Sequence, residues 1–243
     1  MGAKPDLIPG IYNYCDRWCE RCAYTSRCLQ FQIESEESKS SDSLSDFDVL
    51  NAGFWEDMGD ALVKAMRLIR EIAAKEGIDP EDLDKETAYS ELCESFHRNA
   101  REHPCASAAL VYSGMVNEWF AALDDVEAEE AHPANHPLFL DEHLQVIRHY
   151  QYFIYPKIVR AIEGRLNEPF SAQDEAQNDA CGSAKVALIA IDRSLASWSI
   201  LYAEYPDYED KTLSILVHLD LLRRSLEVVF PAARAFLRPG FDS

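Results

Sequence analysis

From residue 47 onward the apolar residues of this chain recur every three or four positions, a period that leaves room for helices and little else. Phe47, Leu50, Phe54, Met58, Ala61, Ala65, Leu68 and Ile72 form one stripe, opened by Ser45/Asp46 as N-cap residues and closed near Gly77. Further helices are expected over about 81–101, 105–130, 138–165, 181–204 and 210–229. Pro104 ends the second, Pro156 is expected to kink the fourth, and Pro231 closes the sixth. No segment alternates apolar and polar residues with a period of two, and only 9 glycines are available for tight strand turns. The expected fold is therefore all-α, an antiparallel multi-helix bundle over residues 47–243.

Residues 1–33 differ in kind. "YCDRWCERCAYTSRC", Tyr14 to Cys28, holds four of the seven cysteines in fifteen residues, interleaved with Trp18, Tyr24 and three arginines. After it, "ESEESKSSDSLSD" (residues 34–46) has the acidic, Ser-rich composition of a solvated linker. The N-terminus lacks the long apolar run of a signal peptide, and no stretch has the ~20 uninterrupted apolar residues of a membrane span. That pattern points to the cytoplasm, where thiols stay reduced and clustered cysteines serve metal or redox chemistry rather than a disulfide framework.

The cysteine spacing is Cys15-x3-Cys19-x2-Cys22-x5-Cys28. On a helix at about 100° per residue the first three sulfurs lie within roughly 60° of each other, and Cys28 points the other way. A turn at Thr25 and Ser26 would bring the fourth sulfur back and complete a four-thiolate metal site of Cys15, Cys19, Cys22 and Cys28. Arg17, Arg21 and Arg27 supply the positive charge that lowers thiol pKa values and offsets a tetrathiolate centre. Zinc accepts such a set in closed structural sites, and an iron–sulfur cluster is the alternative cofactor. The competing account makes the cysteines buried small hydrophobes on the stripe extended by Ile8 and Ile11.

Cys15-x3-Cys19-x2-Cys22 resembles the three-cysteine pattern of radical S-adenosylmethionine enzymes over eight residues, and Cys19-x2-Cys22-x5-Cys28 resembles spacings in auxiliary iron–sulfur modules. The first resemblance implies an α/β barrel after the motif. Acidic linker and helices follow instead, so that catalysis is not expected.

A bundle can also carry a site between its helices. Glu94-x-x-His97 points away from the apolar stripe of its helix, as do Glu142 and His149. Glu118, His143, Asp192 and His218, one from each of four helices, lie on or at the edge of apolar stripes and make up a candidate metal or acid–base set for a bundle metalloenzyme. His132 and His136 sit in a Pro-rich loop, while Cys93, Cys105 and Cys181 are scattered and structural. Arg223, Arg224, Arg234 and Arg238 collect at the C-terminus, where they answer the helix dipole.

The chain carries 23 Lys and Arg against 43 Asp and Glu, a formal charge of -20. Such a field repels nucleic acid and anionic membranes. The sequence thus predicts a metal-binding helical protein whose zinc has a structural or docking role toward a protein partner or a second copy, with an iron–sulfur redox protein as the alternative.

Overall fold

A computed structural model of the chain describes residues 6–41, 63, 67, 87–129, 138–167 and 176–242. The first expected helix, residues 47–77, lies outside them apart from Val63 and Arg67, as do residues 42–46 of the expected linker and the His132/His136 loop. Seven helices are described: α1 (Leu29–Ser41), α2 (Thr87–Glu102), α3 (Pro104–Glu129), α4 (Leu138–Gln151), α5 (Ile154–Asn167), α6 (Asp179–Glu204) and α7 (Glu209–Val229). Among the described residues there is no strand.

The chain divides into two compact units, Met1–Leu29 with Ser95–Ser243, and Gln30–Glu94. In the second, Glu34–Ser41 continues the helix begun at Leu29, where composition suggested a solvated linker. Gln30 and Glu34 bond to each other one turn apart at 2.8 Å, a local source of helical order in an otherwise polar stretch.

The first unit is an antiparallel bundle of four rods: α3, the broken rod α4–α5, α6 and α7. Paired contacts give the directions. On α3, Trp119 meets Thr212 near the start of α7, whereas Ala108 meets His218 further along it. Between α5–α4 and α6, Arg160 meets Asp179 and His143 meets Ser197. Each cross-link runs down one rod and up the next, as short connections dictate.

Local chemistry sets the helix ends. Pro104 occupies the first position of α3, where no backbone N–H is needed, and His103 Nδ1 accepts the Cys105 N–H at 3.1 Å. Asn178 caps α6 by accepting the Cys181 N–H at 2.8 Å. The expected kink at Pro156 is a full break instead. The chain turns at Tyr152 and Phe153, which places Pro156 in the first turn of α5, where its missing donor costs nothing.

Large aromatic side chains fill the centre. Trp119 and Trp198 are fully buried with ring centroids 5.1 Å apart, edge to face. Each indole N–H is satisfied: Trp119 donates to Thr212 Oγ1 at 3.0 Å and Trp198 to the Tyr112 hydroxyl at 3.2 Å. α6 is long and apolar enough to cross a membrane by length and composition, but half of that stretch is buried within the bundle. It packs against α4, α5 and α7, which makes it the core helix.

Candidate functional site

Residues 6–28 contain no α-helix. They run as extended segments between three single-turn 3₁₀ elements, Ile11–Asn13, Cys19–Arg21 and Thr25–Arg27. The expected helical stripe of Cys15, Cys19 and Cys22 therefore does not form. Asp16 explains why: its Oδ1 accepts the Trp18 N–H at 3.2 Å, a local turn that competes with helix. Between them Arg17 takes a left-handed backbone with φ 59°.

That turn aims the head at the bundle. Asp16 Oδ2 accepts from the Tyr150 hydroxyl at 2.8 Å and from Arg193 at 2.5 Å. The Asp16 carbonyl accepts from His149 Nε2 at 2.9 Å, so that nitrogen carries the proton. Trp18 stacks on the His149 ring, centroids 4.2 Å apart, and the Arg21 guanidinium lies 4.2 Å from the Trp18 ring centroid. Arg21 also reaches Glu142 at 3.3 Å and Gln145 at 2.9 Å. The Glu142/His149 stripe, which points away from the core, is the surface that receives the head. Lys157 adds a bond to the Asn13 carbonyl and Tyr14 one to Asp179.

Tyr14 also packs where α6 has no side chain. A Cβ on Gly182 would stand 2.4 Å from Tyr14 Cε1 and 2.7 Å from Phe236 Cζ, so only glycine admits both rings. The C-terminal segment closes the arrangement from the other side, with Tyr24 edge-on to Phe241 at 5.1 Å.

Head, α4, α6 and C-terminal segment together line a half-open cleft of about 320 Å³. Trp18, Tyr24, Val146 and Phe241 supply its apolar walls, and Asp16, Tyr150, Arg193 and Arg21 its polar groups, with Cys22 also in its lining. The Asp16–Tyr150–Arg193 triad is electrostatically bound together. Burial alone would raise the Asp16 pKa, but the Tyr150 hydroxyl, the Trp18 N–H and Arg193 outweigh it and hold the carboxyl below its ordinary value. Burial, with the nearby Asp16 charge, pushes the Tyr150 hydroxyl up to about 12. Arg193 loses some basicity to burial yet ends above its ordinary value because Tyr150 and Asp16 bind its charged form.

The four cysteines are all half-buried and take part in no disulfide. Cys15 Sγ donates to the Tyr12 carbonyl at 3.5 Å, and burial is the main influence raising its pKa, with the Arg17 backbone N–H pulling the other way. Cys22 Sγ accepts the Tyr24 N–H at 3.4 Å. Among the described residues no three His, Cys, Asp or Glu side chains converge where a metal ion could sit. The bundle set is likewise dispersed. His143 faces Ser197 at 3.2 Å, His218 Nε2 donates to the Ala108 carbonyl at 2.7 Å, Asp192 is paired with Arg234, and Glu118 is exposed. His97, set beside Glu94 in the sequence, pairs instead with Glu163 at 2.9 Å.

Periodicity places Tyr150 simply in the core stripe of its helix and gives Asp16 and Arg193 no role. One signal was present: Asp192-Arg193 is a charged pair in the middle of an apolar helix, and both charges turn out to be anchored, one to the C-terminal segment and one to the head. No protein-family model matches the chain, and neither a curated protein nor a solved structure is similar to it.

Proposed function

We propose that the protein is a binding protein for a small, flat, carboxylate-bearing ligand held in the cleft between its head and α4, α6 and the C-terminal segment. One observation carries this reading. The Arg193 guanidinium is fixed by Asp16 and Tyr150 through a single nitrogen, Nη1, and its side chain stays 52% exposed beside the cleft. A guanidinium oriented by a half-buried acid presents its remaining N–H groups as a preformed fork, the geometry that suits a carboxylate. Trp18, Tyr24 and Phe241 give the rest of the ligand apolar and aromatic surface. Convergent polar groups with shifted pKa values in an apolar-walled cleft are the usual mark of a binding site.

The test is a fluorescence titration of the full chain with aromatic carboxylates and their neutral amides, Trp18 acting as the reporter. Saturable quenching by an acid, with the amide at least tenfold weaker and Arg193→Ala indifferent to both, is the expected result. Equal binding of acid and amide, or an unaltered titration in Arg193→Ala, rules the reading out.

A second reading concerns the sulfurs. The backbone N–H two residues on reaches Cys15 Sγ from Arg17 and Cys22 Sγ from Tyr24. At Cys15 that bond opposes the burial that raises the thiol's pKa. The two contacts and the clustering of four sulfurs support zinc uptake by Cys15, Cys19, Cys22 and Cys28, with an iron–sulfur cluster as the alternative, in a step that draws the three turns together. Metal analysis after anaerobic purification tests it: one zinc per chain, lost in Cys28→Ser, is expected. Metal-free protein with titratable thiols at all four positions refutes it.

A further inference from the structure

We infer that the outer face of α7 is a twofold contact between two copies of this chain, made by antiparallel pairing of α7 with itself about Val217. The core side of α7 is formed by Thr212, Ile215, Leu219, Leu222 and Leu226, all buried. At about 100° per residue, Asp210, Leu213, Val217, Leu221, Arg224 and Val228 fall within roughly 80° of arc centred opposite that side. The direction facing away from the bundle therefore carries aliphatic side chains. Leu213 is 47% exposed, Val217 53%, Leu221 58% and Val228 82%. Single exposed apolar residues are ordinary, but four in one line present roughly 400 Å² of apolar surface, the size that marks an interaction site on a monomer.

The charges at the ends of the stripe choose the occupant. Asp210 and Arg224 each stand seven residues from Val217, and Leu213 and Leu221 each stand four. A twofold axis through Val217 sets residue 217−n against residue 217+n of the other copy. Val217 then meets Val217 once, on the axis, while the Leu213–Leu221 and Asp210–Arg224 pairings each occur twice, as an isologous interface requires. Among the described residues Asp210 has no ion-pair partner, while Arg224 is held only within its own helix, by Asp220 at 2.7 Å with its side chain 69% exposed. A parallel pairing would set acid against acid and arginine against arginine. The sequence of the stripe is thus complementary to itself in one orientation, in a chain whose net charge of -20 otherwise opposes self-association.

The area also sets the class of interface. Two such faces bury ~800 Å², below the ~1,200 Å² of the smallest stable interfaces, so the dimer is a weak, transient one, to be sought at concentrations on the order of 10–100 μM. Sedimentation velocity of the full chain from 1 to 500 μM should show a reversible monomer–dimer equilibrium in that range. Val217→Asp, which sets two carboxylates against each other on the axis at an exposed position, should weaken it at least tenfold with an unchanged helical circular-dichroism spectrum. Asp210→Arg should weaken it, and Asp210→Arg combined with Arg224→Asp should restore it. A chain monomeric at 500 μM overturns the inference, as does a dimer indifferent to Val217→Asp. A charge swap that fails to restore association overturns the antiparallel register.

Discussion

Replacing Gly182 by alanine should destabilise the protein, whereas the same change at Gly114 should stabilise it, although both glycines lie inside long helices. Alanine is favoured over glycine in a helix interior by ~1 kcal/mol, because glycine loses more backbone freedom on folding. At Gly114 nothing stands within 4 Å of the added methyl, so the full gain is realised there. At Gly182 the methyl carbon would lie 2.4 Å from Tyr14 Cε1, 2.6 Å from Tyr14 Cδ1 and 2.7 Å from Phe236 Cζ. Carbon atoms pack at about 3.5–4.0 Å, so both rings must retreat by roughly 1 Å. Tyr14 cannot do so freely, because its hydroxyl donates to Asp179 at 2.9 Å while its ring rests on Phe236 at 4.6 Å. Overpacking of this kind costs about 1–3 kcal/mol, which outweighs the propensity gain. The expected net effects are ~1 kcal/mol of destabilisation at Gly182 and ~1 kcal/mol of stabilisation at Gly114, read from urea unfolding followed at 222 nm. Adding Tyr14→Ala to Gly182→Ala should recover part of the loss, since the clash leaves with the ring. If Gly182→Ala stabilises as Gly114→Ala does, the head does not pack against α6.

The remaining expectations concern polar contacts. Thr212→Val, nearly isosteric, strands the buried Trp119 N–H and should cost ~1–3 kcal/mol, while Thr212→Ser should cost less; equal losses would assign the effect to packing instead. The folded-state pKa of Asp16 is depressed, so its contribution is complete above the ordinary carboxyl value near ~3.9 and is lost as pH falls through the depressed one. The stability gap between the native chain and Asp16→Asn should therefore shrink from pH 7 to pH 3; a constant gap would refute the ion pair. Tyr14, Tyr112 and Tyr150 are each pushed up to about 12, chiefly by burial, so stability that is complete below the ordinary value near ~10 is lost as pH rises from there through about 12. An absorbance titration should show a late-ionising class of tyrosines that loses one member in Tyr150→Phe, and an unchanged class would contradict the burial of that hydroxyl.

The bundle was legible because its signal is local. Each stripe repeats within a turn, and burial of one face is enough to specify a helix: Ile215, Leu219, Leu222 and Leu226 recur at three and four and form the buried side of α7. Pro156 shows the limit. Its sequence position announces a disruption, but whether the chain kinks there or breaks upstream at Tyr152 and Phe153 depends on how α4 and α5 each pack against α6. The head was not legible, and the reason is physical. Its conformation is set by partners more than a hundred residues away, Tyr150 and Arg193 for Asp16 and His149 for Trp18, and no periodicity encodes contacts at that separation.

The cysteine spacing drew attention to sulfur while the residues between the sulfurs make the attachments. Tyr14, Asp16, Trp18, Arg21 and Tyr24 alternate with Cys15, Cys19 and Cys22, and each of the five reaches α4, α6 or the C-terminal segment. In an irregular segment a short polar residue that accepts from nearby backbone, as Asp16 does from the Trp18 N–H, offers the chain an alternative to helix. The head's oxygen, nitrogen and aromatic groups fasten it to the bundle and shape a cleft, while its four cysteines are half-buried and joined by no disulfide. Attachment does not run through the sulfurs: what holds the head in place is an aspartate and a tryptophan, whose partners lie on α4 and α6.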